Sequence, residues 1–419
     1  LAMTSGQPYM AITSTSMAGK KRFCRRFAAL IVAGAACALA SAPTAGAVAW
    51  DQAGALPPAL TPPATVPDPL CTQSYADDAP EGGDRLRFGI GPRLAGEGGT
   101  GQQTPTVAQN PRMRDLALLK LAGDRDFTVR LNRLFMADGS RGISNFRKLA
   151  RHYGRLGLKV ELQVRYHPAP GDEGDMGAWL DYVRQVVRAF GPVRAVTGLQ
   201  ITNEVNLTFS PNTSDGAYAG ALEALVEGVE LAKSESEKLG YDRLEIGFNF
   251  AWRFGVQADA DFWSGLGELG GRAFRRATDW VGIDIYPGTF VPARATIVDY
   301  GDAFLEGIAQ MRECYMPMAG FGPSTPLRIE ETGWPTGPGR GEAEQKSVAA
   351  EIVRTASDWR GTYNLTDLRW FGLRDNNSQG PNFQSFFGLL RDDYSRKPAF
   401  GEYRRLVKRL GAPAKRAGR

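Results

Sequence analysis

Two glutamate stations in the chain are placed to do chemistry. Glu204 follows Asn203 at the end of the apolar run Val196–Asn203, and Glu330-Glu331 closes the run Leu327–Glu331. Two carboxyl groups facing across a pocket can divide the work of breaking a glycosidic bond. One protonates the departing oxygen, and the other attacks the anomeric carbon or activates a water. The ends of neighbouring apolar runs supply fitting company: Arg130 and Asn132, Tyr166-His167, Asn249 and Trp252, Asp284 and Tyr286, Trp370. Aromatic rings stack on sugar faces, while Asn and Arg bond hydroxyls and hold carboxylates in place. Such a reaction needs no metal and no cofactor, and none is expected. The only histidines are His152 and His167, which excludes three-His zinc centres and H-E-x-x-H helices. No G-x-G-x-x-G follows the first strand, and Gly91–Gly101 lacks a P-loop lysine.

Each of these residues also has a plain structural reading. Glu204 alone could be a solvated helix cap, and Arg130 a buried ion-pair partner. Tyr286, Trp370, Trp252 and Trp334 could be core aromatics, and His167 packing or surface. What favours chemistry is the pairing of the two glutamate stations on a scaffold that sets them opposite one another.

The scaffold shows in the alternation of short apolar runs with longer amphipathic ones. The predicted strands are Arg85–Gly91, Phe127–Phe135, Leu158–Arg165, Val196–Asn203, Leu244–Phe250, Trp280–Tyr286, Leu327–Glu331 and Leu368–Leu373. Predicted helices between or after them include Met113–Ala122, Asn145–Leu156, Met176–Ala189, Ala217–Leu239, Ala343–Ser357 and Phe400–Leu410. Eight strand–helix units predict an α/β fold, a (β/α)8 TIM barrel forming a single catalytic domain over residues 84–411. In that architecture the site lies at the C-terminal ends of the strands, where both glutamate stations fall. Strand alternation does not choose between Glu330 and Glu331, because each has a parity of its own.

Thr202-Asn203-Glu204 after the fourth strand, with Glu331-Thr332-Gly333-Trp334-Pro335 after the seventh, resembles the clan-A glycoside hydrolases. The E-T-G-W-P stretch is most similar to their β-1,3-glucanase branch. The resemblance implies that Glu204 is the acid/base and Glu331 the nucleophile, and so selects Glu331 over Glu330. It also implies that Asn203 orients the substrate, that Tyr286 contacts the nucleophile, that Arg130 is the clan's strand-two arginine and that Trp370 floors the sugar site. Two departures stand out: Val205 where the clan usually has proline, and Asp284 where several branches have His or Asn.

Charge and the termini set the context. The formal net charge is +5, yet residues 1–47 carry five cations and no acid, and residues 404–419 carry seven cations. Residues 48–403 are therefore at −7, which argues against a nucleic-acid partner. Lys20–Arg26, the apolar Phe27–Ala40 and the small residues after it read as a bacterial-type signal peptide over 1–47, with Met17 the more natural start. Cleavage after Ala47 or Ala49 is expected, and an uncleaved anchor is the alternative. Residues 48–83 form a Pro/Ala-rich linker or strap, and 412–419 a basic tail. Cys71 and Cys314 permit one disulfide in an exported protein, the alternative being two unrelated thiols. The function expected is a secreted or extracytoplasmic retaining glycoside hydrolase. It would act as a monomer on a β-linked carbohydrate substrate, with cell-wall or cell-surface association. A transglycosylase of the same fold and a non-catalytic carbohydrate-binding barrel are the alternatives.

Overall fold

The computed structural model describes residue 71 and residues 78–92, 106–209, 211, 213–253, 255–380 and 383–414. The leader at 1–47, most of the segment 48–83 and the last five residues of the tail lie outside the described residues.

Eight parallel strands close in chain order into a barrel. They are β1 (Arg87–Ile90), β2 (Phe127–Phe135), β3 (Lys159–Arg165), β4 (Val196–Ile201), β5 (Glu245–Trp252), β6 (Trp280–Ile285), β7 (Leu327–Thr332) and β8 (Leu365–Trp370). The helices outside are α1 (Pro111–Ala122), α2 (Gly139–Arg155), α3 (Met176–Phe190), α4 (Ala221–Lys238), α5 (Val256–Ala277), α6 (Tyr300–Gln310), α7 (Glu342–Asp358) and α8 (Pro398–Leu410). Side-chain caps start several of them: Asn110, Asp175 and Asp299 accept from the backbone N–H three residues on in α1, α3 and α6.

Alternation along each strand divides the molecule. The outward residues, such as Leu199, Ile201, Ile283, Ile285, Leu327 and Ile329, are fully buried against the helices. Each such side chain contributes about 1.5–3 kcal/mol. The inward residues are polar and charged. At the lower end Arg328 Nε meets Asp367 Oδ2 at 3.2 Å and its Nη1 meets Glu161 at 3.4 Å, while Arg369 Nη2 reaches Asp367 at 2.6 Å and Glu161 at 3.2 Å. Arg87 bonds Asp367 at 2.6 Å and Glu245 at 3.4 Å, and Arg328 also bonds Glu245. Glycine makes room for these long side chains. A Cβ on Gly89 would stand 2.6 Å from Arg369 Cδ, and one on Gly282 2.7 Å from Glu330 Cγ.

The eighth strand was predicted at Leu368–Leu373 but begins at Leu365 and ends at Trp370. Its inward Asp367 and Arg369 hide the strand from a search for apolar runs. The fourth strand ends two residues earlier than predicted, because Thr202 and Glu204 take left-handed backbone angles, φ 62° and 47°. The fourth helix starts at Ala221 rather than Ala217, behind Gly220 at φ 76°.

Cys71 and Cys314 are joined as a disulfide, with Cα atoms 5.6 Å apart, just after α6. The described end of the strap lies along the turn between α7 and β8: Gly361 N donates to Glu81 O (2.9 Å) and Tyr363 Oη to Asp78 Oδ2 (2.6 Å). The tail begins by hydrogen-bonding the barrel, Ala412 N to Leu86 O at 2.9 Å.

Candidate active site

Glu331 is reached from three strands. Arg130 Nη1 on β2 donates to its Oε1 at 2.6 Å, Gln163 Nε2 on β3 approaches the same oxygen at 3.5 Å, and the Tyr286 hydroxyl after β6 donates to Oε2 at 2.6 Å. Arg130 is itself fixed by Gln200 Oε1 (2.6 Å) and Asn132 Oδ1 (2.9 Å). Ile283 pairs with Ile329, but the next pair is Asp284 with Glu331, so β7 carries one extra residue. This bulge turns both Glu330 and Glu331 inward. Glu330 sits deeper, 3.4 Å from Arg130 Nε and facing Glu161. Glu331 alone of the two reaches the open end.

Glu204 is delivered by the left-handed turn that ends β4. Side chains with a Cβ adopt that conformation only where the surroundings enforce it. Asp215 does so from below: its Oδ2 accepts from Asn203 N and Tyr166 N, both at 2.9 Å, and its Oδ1 pairs with Arg165 Nε at 2.7 Å. Glu204 N donates to Asn249 Oδ1 at 2.9 Å. The Asn203 amide is equally constrained. Its Oδ1 accepts from Gln163 (2.7 Å), Asn249 (2.8 Å) and Gln200 (3.1 Å), which leaves Nδ2 to donate to Glu204 Oε2 at 3.2 Å and Thr213 O at 2.8 Å.

One carboxylate oxygen each from Glu204, Asp284 and Glu331 lies within 4.8 Å of the others. Burial, and then the charge of Glu331, push the half-buried Glu204 up to about 8. Burial and the two glutamates also hold Asp284 well above the usual carboxylate range. Arg130 is driven higher still: burial opposes its charge, but Glu331, Asp284, Glu330 and Glu161 outweigh that. Three acids this close have the reach to hold a cation. Here both oxygens of Glu331 and one each of Glu204 and Asp284 receive donors, from Arg130, Tyr286, Asn203 and Asn249, and the Arg130 guanidinium is the cation that meets them.

Other expected site residues lie elsewhere. Trp370 is fully buried outside the barrel wall, its ring 5.9 Å from Tyr403 of α8, because Asp367 and Arg369 take the inward parity of β8. Trp252 is buried against α6 and donates to Gln310 Oε1 at 2.6 Å. Trp334 is buried beneath the Arg340 guanidinium, 4.3 Å from its ring centre. These three are core or wall residues and offer no platform to a ligand. His167 stacks on Phe135 at 4.2 Å and bonds the Tyr218 hydroxyl through Nδ1 at 2.6 Å. Burial, with Arg165 adding to it, lowers its pKa to about 4, so it is neutral at pH 7. The aromatic side of the site is phenylalanine: Phe290, Phe371, Phe383 and Phe387 pack around Tyr286, with Phe290 and Phe371 only part-buried. Of these the sequence shows only a cluster, Phe383 to Phe387, in the loop after β8. Arg165, Gln163, Gln200 and Asp215 carry no motif, and only their contacts single them out.

No protein-family model matches the chain, and no curated protein sequence matches it. Solved structures match its fold. The chain is similar to a beta-glucosidase from Thermotoga maritima solved with methoxycarbonyl-substituted glucoimidazole, at 13% identity, covering 80% of this chain and 100% of that one, TM-score 0.55. It is also similar to a GH5_18 protein from Streptomyces cattleya in complex with Manb1-4GlcNAc, at 16% identity, 79% and 83% coverage and TM-score 0.53. A GH5_18 protein from Bifidobacterium longum matches at 16% identity, 79% and 81% coverage and TM-score 0.53. At these identities the likeness is one of fold.

Proposed function

We propose that the chain is a retaining glycoside hydrolase acting on a β-linked oligosaccharide or polysaccharide, with Glu204 as acid/base and Glu331 as nucleophile. The observation that carries this reading is the approach of Glu204 and Glu331 within 4.8 Å at the open end of the barrel, in two different electrostatic states. Arg130 and Tyr286 both donate to Glu331, whereas Glu204 keeps its proton to about pH 8. Retaining enzymes hold their carboxyl groups about 5–5.5 Å apart, while inverting ones leave about 6.5–9.5 Å for a water. The short approach supports the first.

In the first step Glu331 attacks the anomeric carbon and Glu204 gives its proton to the leaving oxygen. Once Glu331 is esterified its charge is gone and Glu204 no longer feels it. Glu204 then takes a proton from the water that releases the sugar. Asn203 Nδ2 donates to Glu204 and steadies the acid/base beside the substrate, and the part-buried Phe290 and Phe371 flank the nucleophile's tyrosine. Carbohydrate ligands in proteins of similar fold support the substrate class. Export completes the proposal, and the Cys71–Cys314 bond supports it because such bonds persist in oxidising compartments.

Azide rescue on aryl glycosides tests the assignment. Glu331→Ala should abolish turnover, and azide should restore it with inverted product. Glu204→Ala should spare the first step on substrates with good leaving groups, stall the second, and yield retained product with azide. Carbohydrate binding without cleavage of any β-glucan, xylan, mannan or galactan would favour a non-catalytic barrel. Transfer to an added sugar acceptor in preference to water would mark a transglycosylase.

A further inference from the structure

Asp284 is a third carboxyl group that the two-glutamate scheme does not use. It is 1% exposed and pairs in register with Glu331 on the neighbouring strand. Asn249 Nδ2 donates to its Oδ2. Its Oδ1 is buried and receives no N–H or O–H donor. The Glu204 carboxyl lies within hydrogen-bonding reach of Asp284, and an oxygen each of Glu204, Asp284 and Glu331 lies within 4.8 Å of the others. Two carboxyl groups can bond each other only if one of them carries the hydrogen.

Resting on the glycosidase reading, we propose that Asp284 is a positioning residue for the acid/base, keeping its proton through the whole cycle and donating it as a hydrogen bond to Glu204 once Glu204 is ionised. The charge count supports this. The charged groups facing Asp284 are Glu331, Glu204, Glu330 and Arg130, and burial and Glu161 hold Glu330 well above the usual carboxylate range. At rest Glu204 and Asp284 are protonated and Glu331 is the anion, one negative charge against Arg130. In the first step the bond from sugar to leaving oxygen breaks, the bond to Glu331 forms, and the Glu204 proton leaves with the oxygen. Glu331 is now a neutral ester and Glu204 the anion, again one charge against Arg130. Water then returns a proton to Glu204 and frees Glu331. With Asp284 ionised, Arg130 would face two anions in both states, since Arg165 is already paired with Asp215. With Asp284 protonated, its O–H bonds Glu204 at the stage when Glu204 has lost its own hydrogen.

The test uses pre-steady-state kinetics on an aryl glycoside across pH, which separates release of the aryl group from hydrolysis of the glycosyl-enzyme. Asp284→Leu removes the donor. It should slow the second step about tenfold or more, make the glycosyl-enzyme accumulate, and move the acid limb of that step up by about one pH unit. Asp284→Asn presents an amide N–H to Glu204 while accepting from Asn249. It should recover most of the lost rate and return the acid limb to within a few tenths of a unit of wild type. Should the leucine variant not fold, infrared difference spectra above the Glu204 titration decide. Wild type should show a protonated-carboxyl band that Asp284→Asn lacks. Equal slowing of both steps, failure of asparagine to rescue, or no loss of the band would overturn the proposal. If Glu204→Ala and Glu331→Ala give their azide products while Asp284 fails these tests, only this inference falls. If those two variants keep full turnover, the glycosidase reading falls first.

Discussion

At the lower end of the barrel Arg87, Arg328 and Arg369 face Glu161, Glu245 and Asp367, whereas above them Arg130 faces Glu330 and, towards the open end, Asp284, Glu331 and Glu204. The residue types are the same, yet Glu161 and Asp367 are pushed down while Glu204, Asp284 and Glu330 are pushed up. Below, burial would raise Glu161, but Arg369, a hydrogen bond from Glu330, Arg328 and Arg130 outweigh it and bring it down to about 2. Asp367 is held below the ordinary range in the same way, by Arg328, Arg369 and Arg87. Above, Arg130 cannot serve all of these acids, so burial prevails at Glu204, Asp284 and Glu330 and raises them. A balanced layer stores no protons and braces the wall. A layer short of cations must hold protons, and held protons are what an acid catalyst needs.

The sharpest way to break this contrast is to substitute one group in each layer. Glu331→Gln should cut turnover by roughly 10⁴-fold or more while leaving the thermal midpoint unchanged or higher, since it relieves the acidic excess. Turnover and thermal unfolding on one preparation check both, and a large drop in midpoint would erase the distinction. Arg369→Met should do the reverse. It takes from Glu161 and Asp367 one of the arginines they share, leaving Arg328 and Arg87, and should cost about 3 kcal/mol of stability in denaturant titration, with turnover per folded molecule largely kept.

A pH series sharpens the same comparison. Glu161 titrates near 4.5 unfolded and about 2 folded, so its contribution is present above about 4.5 and lost as pH falls through 2. Glu204 runs the other way, from 4.5 to about 8. It costs stability increasingly as pH rises through that window, and activity falls above about 8 as the acid loses its proton. Glu161→Gln should flatten only the acid side of the stability profile and Glu204→Gln only the side from 5 to 8. The smallest expected change is Tyr286→Phe, about a tenfold loss of turnover with stability within about 1 kcal/mol, measured by steady-state rates and unfolding midpoints. An unchanged rate would reduce Tyr286 to packing.

The legibility of the molecule follows the same division. Eight strand–helix units were readable because the outward face of each strand is apolar and the helices are amphipathic. The barrel interior was not, since charged inward residues interrupt the apolar pattern, as at Asp367 and Arg369. Glu204 and Glu331 were readable from their neighbours in sequence. The choice between Glu330 and Glu331 was closed to strand alternation because a bulge breaks the parity that argument depends on. The tryptophans misled for a related reason: Trp370 and Trp334 stand next to site residues in sequence while their rings face away. The phenylalanines around Tyr286 and the Asp215 brace lie far along the chain and meet the site only through tertiary contacts.

The disulfide has a consequence of a different kind. It spans 243 residues between Cys71 and Cys314, so Glu204 sits inside a covalently closed ring and Glu331 outside it. A protease that nicks one loop within that ring yields two pieces that stay tethered. Such a nicked molecule should migrate as one band on a non-reducing gel and as two once reduced. A nick between Cys314 and Glu331 should separate the Glu331 fragment under denaturing conditions with the disulfide intact.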